Sequence, residues 1–292
     1  TGGGALSGGR LCKGDEKASG GGMRRFLLEI SAHMYKEIKY IMRDPAWLVV
    51  FSIFPYVMAA MSCLMGIASS YISPDAFSEF QRNTGSSNAM LYFLTGYGIM
   101  FPSFLVVSVA SENTGAEIAS GTLEQIFVSP AKRELFILFS SFPYILVAML
   151  GLIVSYAPLL LMGISILDFL IAMTMVFIGL LPLLGLGVLA SNLTIKVKEY
   201  WSAANFLQAF LTLFSGFAYP ISFLPEWMRL VSHVLPTSYA VELVRKYVEA
   251  HSISYSNLYG IVLMAIAYIT AGVMSFRLVE KEGERSGSIY SS

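Results

Sequence analysis

Six long apolar runs, separated by short polar segments, dominate the pattern of this chain. They are roughly Ala46–Ala68, Asn88–Ala110, Leu135–Leu161, Phe169–Leu193, Trp201–Tyr219 and Asn257–Phe276, and none contains Asp, Glu, Lys or Arg. Each is close to the about 20 residues that carry a helix across about 30 Å of hydrocarbon at 1.5 Å per residue. An all-α membrane protein with six transmembrane helices is therefore predicted. Pro55, Pro102, Pro143, Pro158 and Pro182 fall inside the runs, which a bilayer helix tolerates because neighbours and Ser or Thr re-satisfy the freed carbonyls. Only a few residues around Ser165–Asp168 separate the third and fourth runs, predicting a tight hairpin.

Two flanking segments are amphipathic rather than apolar. Between Met23 and Arg43, Leu27, Ile30, Met34, Ile38 and Ile41 recur at three- and four-residue intervals, with Arg24, Glu29, Lys36, Lys39 and Arg43 opposite. This predicts an N-terminal interfacial helix, stopped by Asp44-Pro45. An ordinary cytosolic helix has the same periodicity, but the junction with the first run leaves it little room to quit the membrane surface. Between Pro220 and His251 the chain is too polar to cross, yet holds Phe223, Trp227, Val231, Val234, Val241 and Val244. Short external re-entrant helices are expected there, with Arg229, Glu242 and Arg245 at headgroup level. The plainer reading is a packed external lid, since Trp and Tyr at an interface usually hold position.

Composition agrees with lipid as the solvent. Of 292 residues 55% are hydrophobic and 13% charged, with mean hydropathy +0.66, whereas soluble domains are about 25% charged. The 19 basic and 19 acidic residues cancel, so no bulk field attracts nucleic acid. Cys12 and Cys63 lack the neighbours of a disulfide or metal motif. Residues 1–22, rich in Gly and Ser, are expected to be a disordered tail and not a secretory signal. Met23 is a candidate natural start, the preceding residues then being an added scar or an over-extended gene reading. One permease domain over residues 23–280 and a cytoplasmic tail over 281–292 complete the division.

The basic residues orient the bundle. With both termini cytoplasmic, the inner segments hold Arg24, Arg25, Lys36, Lys39, Arg43, Lys132, Arg133, Lys196, Lys198, Arg277, Lys281 and Arg285. The outer segments hold Arg82, Arg229, Arg245 and Lys246. That asymmetry follows the positive-inside rule.

Chemistry is sparse. There is no GxxxxGK[ST] phosphate loop, no GxSxG, no HExxH and no Cys and His cluster, and His33, His233 and His251 are scattered. Ion-driven transporters keep ionisable groups at membrane depth, and the six runs contain none. Energy must then arrive from a partner, which requires a docking surface. The best candidate is Ser111–Pro130, predicted as a short cytoplasmic helix. Ala116, Ala119, Leu123, Ile126 and Phe127 form one stripe, and Glu117 and Glu124 share another face near Gly121. Ser129-Pro130 ends it, before Lys132 and Arg133. A solvated loop helix with no partner has the same periodicity.

The run Glu117, Gly121-Thr122-Leu123-Glu124, then Ser129-Pro130 before a basic pair resembles the E-x-x-x-G-T-L-E signature of type 2 ABC transporter permeases. A second stretch agrees. Ser215-Gly216 with Pro220, Leu224-Pro225-Glu226-Trp227, and Pro236-Thr237-Ser238-Tyr239 through Arg245 are similar to that family's last external segment. The resemblance covers Met23–Glu280, with Leu235 standing where Asn is common and Ser238 where Thr is frequent.

The resemblance implies the membrane-spanning permease subunit of an ATP-driven exporter in the cell membrane, not itself an enzyme. The chain would bind no cofactor; ATP and Mg would sit on a separate ABC ATPase subunit, present in two copies. A second permease copy would complete a homodimer or a related heterodimer, bathed in membrane lipid. Glu112, Glu117, Gly121, Thr122, Leu123, Glu124, Ser129 and Pro130 would belong to the ATPase-coupling helix. Pro220, Pro225, Trp227, Pro236, Tyr239 and Arg245 would form the external gate or lid. A non-transporting membrane anchor or assembly subunit is the alternative from another class.

Overall fold

The computed structural model describes residues 31–32, 34–36, 38–39, 42–43, 46–72, 75–86, 88–122, 133–161, 164–197 and 200–286. Among them the backbone forms helices joined by turns, with no strand. In lipid the backbone must bond to itself, and a helix does so within one segment. In chain order the helices are α1 (Ala46–Ile72), α2 (Ala76–Thr84), α3 (Ala89–Ala119), α4 (Arg133–Leu161), α5 (Ile166–Val197), α6 (Tyr200–Phe214), α7 (Glu226–Val234), α8 (Pro236–Ala250) and α9 (Tyr255–Ser286). A single 3₁₀ turn, Ile221–Phe223, precedes α7. The described residues between 31 and 43 are also helical, and mostly exposed. The residue 1–22 tail lies outside the described residues.

Among the described residues three helices are long and apolar enough to cross a membrane: α3, α5 and the Tyr255–Glu282 part of α9. Shorter apolar stretches occupy Ser52–Ile67 in α1, Ser141–Val154 in α4 and Ser202–Phe214 in α6. α3 and α5 are buried along most of their length, which is what apolarity on every side of a helix predicts. α5 packs against α9, α3, α8 and α4, and α3 also touches α1 and α6.

The long helices run parallel. Ser111 Oγ lies 2.8 Å from Thr194 Oγ1, and Lys196 pairs with Glu282 at 2.8 Å, so the C-terminal ends of α3, α5 and α9 share one end of the bundle. Small residues set their approach. A side chain at Gly179 would strike Ala240, one at Gly185 the backbone of Tyr268 and Ile269, and one at Gly187 would meet Ala110 at 3.0 Å. At all three, the missing side chain is what lets the neighbouring helices approach.

At the opposite end α8 runs antiparallel to α5. Ala240 meets Gly179 near the middle of α5, whereas the Tyr247 hydroxyl donates to Asp168 at its start (2.8 Å). The α7–α8 turn reaches the same depth, because the Tyr268 hydroxyl, well inside α9, donates to Val234 O (2.9 Å). Helices α7 and α8 are thus a pair that dips to the middle of the bundle and returns.

Two boundaries differ from the sequence reading. The fifth run, read as Trp201–Tyr219, is helical only to Phe214. Gly216 adopts φ +72°, a left-handed conformation that ends the helix even though Phe217-Ala218-Tyr219 remain apolar. Of the expected Ser111–Pro130 helix, residues 123–130 lie outside the described residues. Glu112–Ala119 continue α3 without a break, and the helix stops at Gly121 (φ +67°). Gly121 N donates to Ile118 O and Thr122 N to Glu117 O, each at 3.1 Å, which is the Schellman closure. Glu117 therefore lies in the last turn of α3, just before the break. The 165–168 hairpin is explained by Ser165, whose Oγ accepts from Leu167 N (3.2 Å) and caps α5.

Candidate functional site

The sequence-predicted site residues fall at opposite ends of α3. At its C-terminal end Glu117 Oε1 pairs with Lys36 Nζ at 3.0 Å, tying the described N-terminal residues to α3. Thr122 Oγ1 also donates to Glu117, and lies 2.8 Å from Ser120 Oγ. Glu112 is exposed five residues before Glu117, and Gly121 holds the break. Leu123, Glu124, Ser129 and Pro130 lie outside the described residues. Lys36 is more than half exposed, so the pair is worth about 0–1 kcal/mol. Glu117→Gln is expected to shift the unfolding midpoint of the purified chain by no more than the neighbouring exposed change Lys39→Gln. A clearly larger shift would show that the pair holds the two segments together.

The other end of α3 is more constrained. Arg245 lies on α8 in register with Val241, Val244 and Val248, and is only 9% exposed. Its Nη1 donates to Tyr92 Oη (3.0 Å) and Gly216 O (2.8 Å), and its Nη2 to Phe217 O (2.6 Å). The guanidinium also sits 3.7 Å from the Tyr92 ring centroid, a cation over a negative ring face. Arg245 is buried between α3, α8 and the loop after α6.

The physical reason is the early end of α6. A terminated helix leaves carbonyls without intrahelical partners, and residues of α8 take them over. Ser238 Oγ donates to Phe214 O (3.3 Å), Arg245 takes Gly216 O and Phe217 O, and Ser215 and Thr237 bond through their hydroxyls. Gly96 on α3 is needed as well, because a Cβ there would land on Phe217 O and Arg245 Nη2. Residues 92, 96, 215–217 and 237–245 thereby form one knot.

The remaining lid residues sit around it. Pro220 precedes the 3₁₀ turn and Pro225 caps α7. Pro236 is buried at the first position of α8, where its missing N–H costs nothing. The Tyr239 hydroxyl donates to His233 O (3.0 Å) and its ring packs on Gly260. Trp227 is exposed beside Phe223 and Leu230. Tyr247 donates to Asp168; that bond, then burial, raises its pKa, so it remains a neutral donor.

The arrangement clamps α8 against α3 and α5. Among the described residues no group of His, Cys, Asp or Glu could hold a metal ion. A family model described as ABC-2 type transporter matches residues 29–248, a span that includes both ends of α3 and the whole knot around Arg245. No curated protein matches the chain. With about three quarters of its length matched, and with long apolar helices carrying that match, the chain belongs to the ABC-2 type transporter family.

Proposed function

We propose that this ABC transporter permease works as an exporter driven by a separate ABC ATPase that grips the Glu117 end of α3. The observation that supports this is the length of α3. Its 31 residues extend about 46 Å, against about 30 Å of hydrocarbon. About ten residues must project, and they carry Glu112 and Glu117. A rod that projects on one side and touches the lid through Tyr92 on the other can carry a push between them.

In this reading α1, α3, α4, α5, α6 and α9 are the six spans, both termini are cytoplasmic, and the membrane is the cell membrane. α6, at 15 residues or about 22 Å, is too short alone, and the α7–α8 pair fills the outer half beside it. Two permease copies and two ATPase copies assemble, and ATP with Mg sits on the ATPase. Closure of the ATPases displaces the Glu112–Pro130 segment, and shifts of α1, α3 and α6 open or squeeze a path between the permeases.

Arg245 does not reopen an ion-driven alternative. A guanidinium does not release its proton in proteins, and three of the N–H groups of this one are held by Tyr92 and two carbonyls. The charged groups of the long helices sit near their ends, as Asp168, Glu112, Glu117, Lys196 and Arg277 show.

The test is reconstitution with an ABC ATPase from the same source. Stoichiometric co-purification and ATP hydrolysis stimulated by the permease are expected. Glu124→Lys is expected to leave the protein in the membrane while separating hydrolysis from transport. Binding without stimulation supports the anchor reading instead, and unchanged transport in Glu124→Lys removes the coupling role.

A further inference from the structure

Beside Arg245 lies a cavity of about 280 Å³, lined among others by Tyr92, Gly216, Ser222, Glu242, Arg245 and Glu249. We propose that it binds an aminoalkyl phosphate, the headgroup chemistry of a zwitterionic phospholipid, with the phosphate at Arg245 and the ammonium at Glu249. The proposal goes beyond export and stands whether or not an ATPase docks.

The charges select this class. Glu242 and Lys246 neutralise one another at 2.6 Å. That leaves Arg245 and Glu249. Arg245 is nine-tenths buried, has no carboxylate partner among the described residues, and its Nε–H bonds to nothing. A buried cation served only by a phenol and carbonyls has donor capacity left, and charge-assisted bonds to an anion are the strong ones. Glu249 is exposed and makes no hydrogen bond or contact ion pair among the described residues, although its charge is felt at Arg245.

Spacing agrees. Positions 245 and 249 are one helical turn apart, on one face, separated by about 6 Å of rise. A two-carbon bridge between phosphate and ammonium is short enough for one ligand to reach side chains on neighbouring turns of one helix face, and both residues line the cavity. The Ser222 hydroxyl, exposed on the cavity wall, is a further donor. Because the four charged side chains sum to zero, a zwitterion fits better than a net anion.

The source of the group is decided by experiment. The full chain, purified in detergent, is presented with dioleoylphosphatidylethanolamine, dioleoylphosphatidylglycerol and dioleoylglycerol, and retained lipid is counted by native mass spectrometry. In parallel, soluble phosphoethanolamine is titrated calorimetrically. Retention of phosphatidylethanolamine roughly tenfold above dioleoylglycerol is expected, a difference that one charge-assisted contact supplies. Arg245→Lys is expected to weaken both phospholipids. Glu249→Gln, at an exposed position and thus safe for folding, is expected to erase the preference for phosphatidylethanolamine over phosphatidylglycerol. Binding of soluble phosphoethanolamine alone, with the same dependence on Glu249, supports the site with a free ligand as its source. Equal retention of all three lipids, an unchanged preference in Glu249→Gln, or no binding of either probe overturns the proposal.

Discussion

Arg245→Ala is expected to lower the stability of the folded chain by about 3–5 kcal/mol, because several buried acceptors lose their donor at once. The substitution leaves the Tyr92 hydroxyl and the carbonyls of Gly216 and Phe217 without their donor, and each orphaned buried acceptor costs about 1–3 kcal/mol. Release of the buried charge returns part of that sum, so the net lies below a simple total. Arg245→Lys keeps the charge but not the planar fork, and should recover roughly half of the loss. Lys246→Ala is the control. Its side chain is half exposed and its pair with Glu242 is a surface pair, worth under about 1 kcal/mol. Unfolding midpoints of the three variants in one detergent separate the cases. If Arg245→Ala and Lys246→Ala move the midpoint equally, the knot at the end of α6 does not hold the lid, and the rod from Glu117 to Tyr92 has nothing to push.

How much of this was visible in the sequence depends on the range of the forces involved. Uncharged apolar runs must become helices in lipid whatever their neighbours, and α3, α5 and α9 lie where the runs lie. Small residues in such runs mark close approach, and Gly179, Gly185 and Gly187 are sites of it. Boundaries were less legible, because an apolar residue past a helix end looks like one inside it. Phe217 is fully buried and not helical. The breaks at Gly121 and Gly216 are backbone events, and glycine just past the last helical turn was the available signal. The burial of Arg245 was hidden for a different cause. Its partners stand at residues 92 and 216–217, and no local pattern joins positions so far apart. One cue existed: Arg245 follows Val241 and Val244 and precedes Val248 at helical spacing, so it continues an apolar stripe rather than a polar face.

Gly185→Leu is expected to separate α5 from α9, with a cost of about 1–3 kcal/mol for overpacking and more if the helices cannot slide. The obstruction is backbone, not a flexible side chain: a Cβ at Gly185 would fall on the carbonyl of Tyr268 and on Ile269 N. The same crossing is tight from the other side, since a Cβ at Gly272 would meet Gly185 O at 2.9 Å and Val188 at 3.1 Å. Moving α9 away also strains the bond from Asn192 Nδ2 to Gly272 O (3.3 Å) and the bond from Tyr268 to Val234 O, which fixes the α7–α8 turn. Loss should therefore appear at the lid as well as at the crossing. Gly66→Leu on α1 is the matched comparison, because a Cβ there meets no atom within 4 Å. Spin-label distances between α5 and α9, read with unfolding midpoints, check both effects. A Gly185→Leu protein as stable as Gly66→Leu, with the α5–α9 distance unchanged, would mean that the crossing is loose and that α9 does not position the lid.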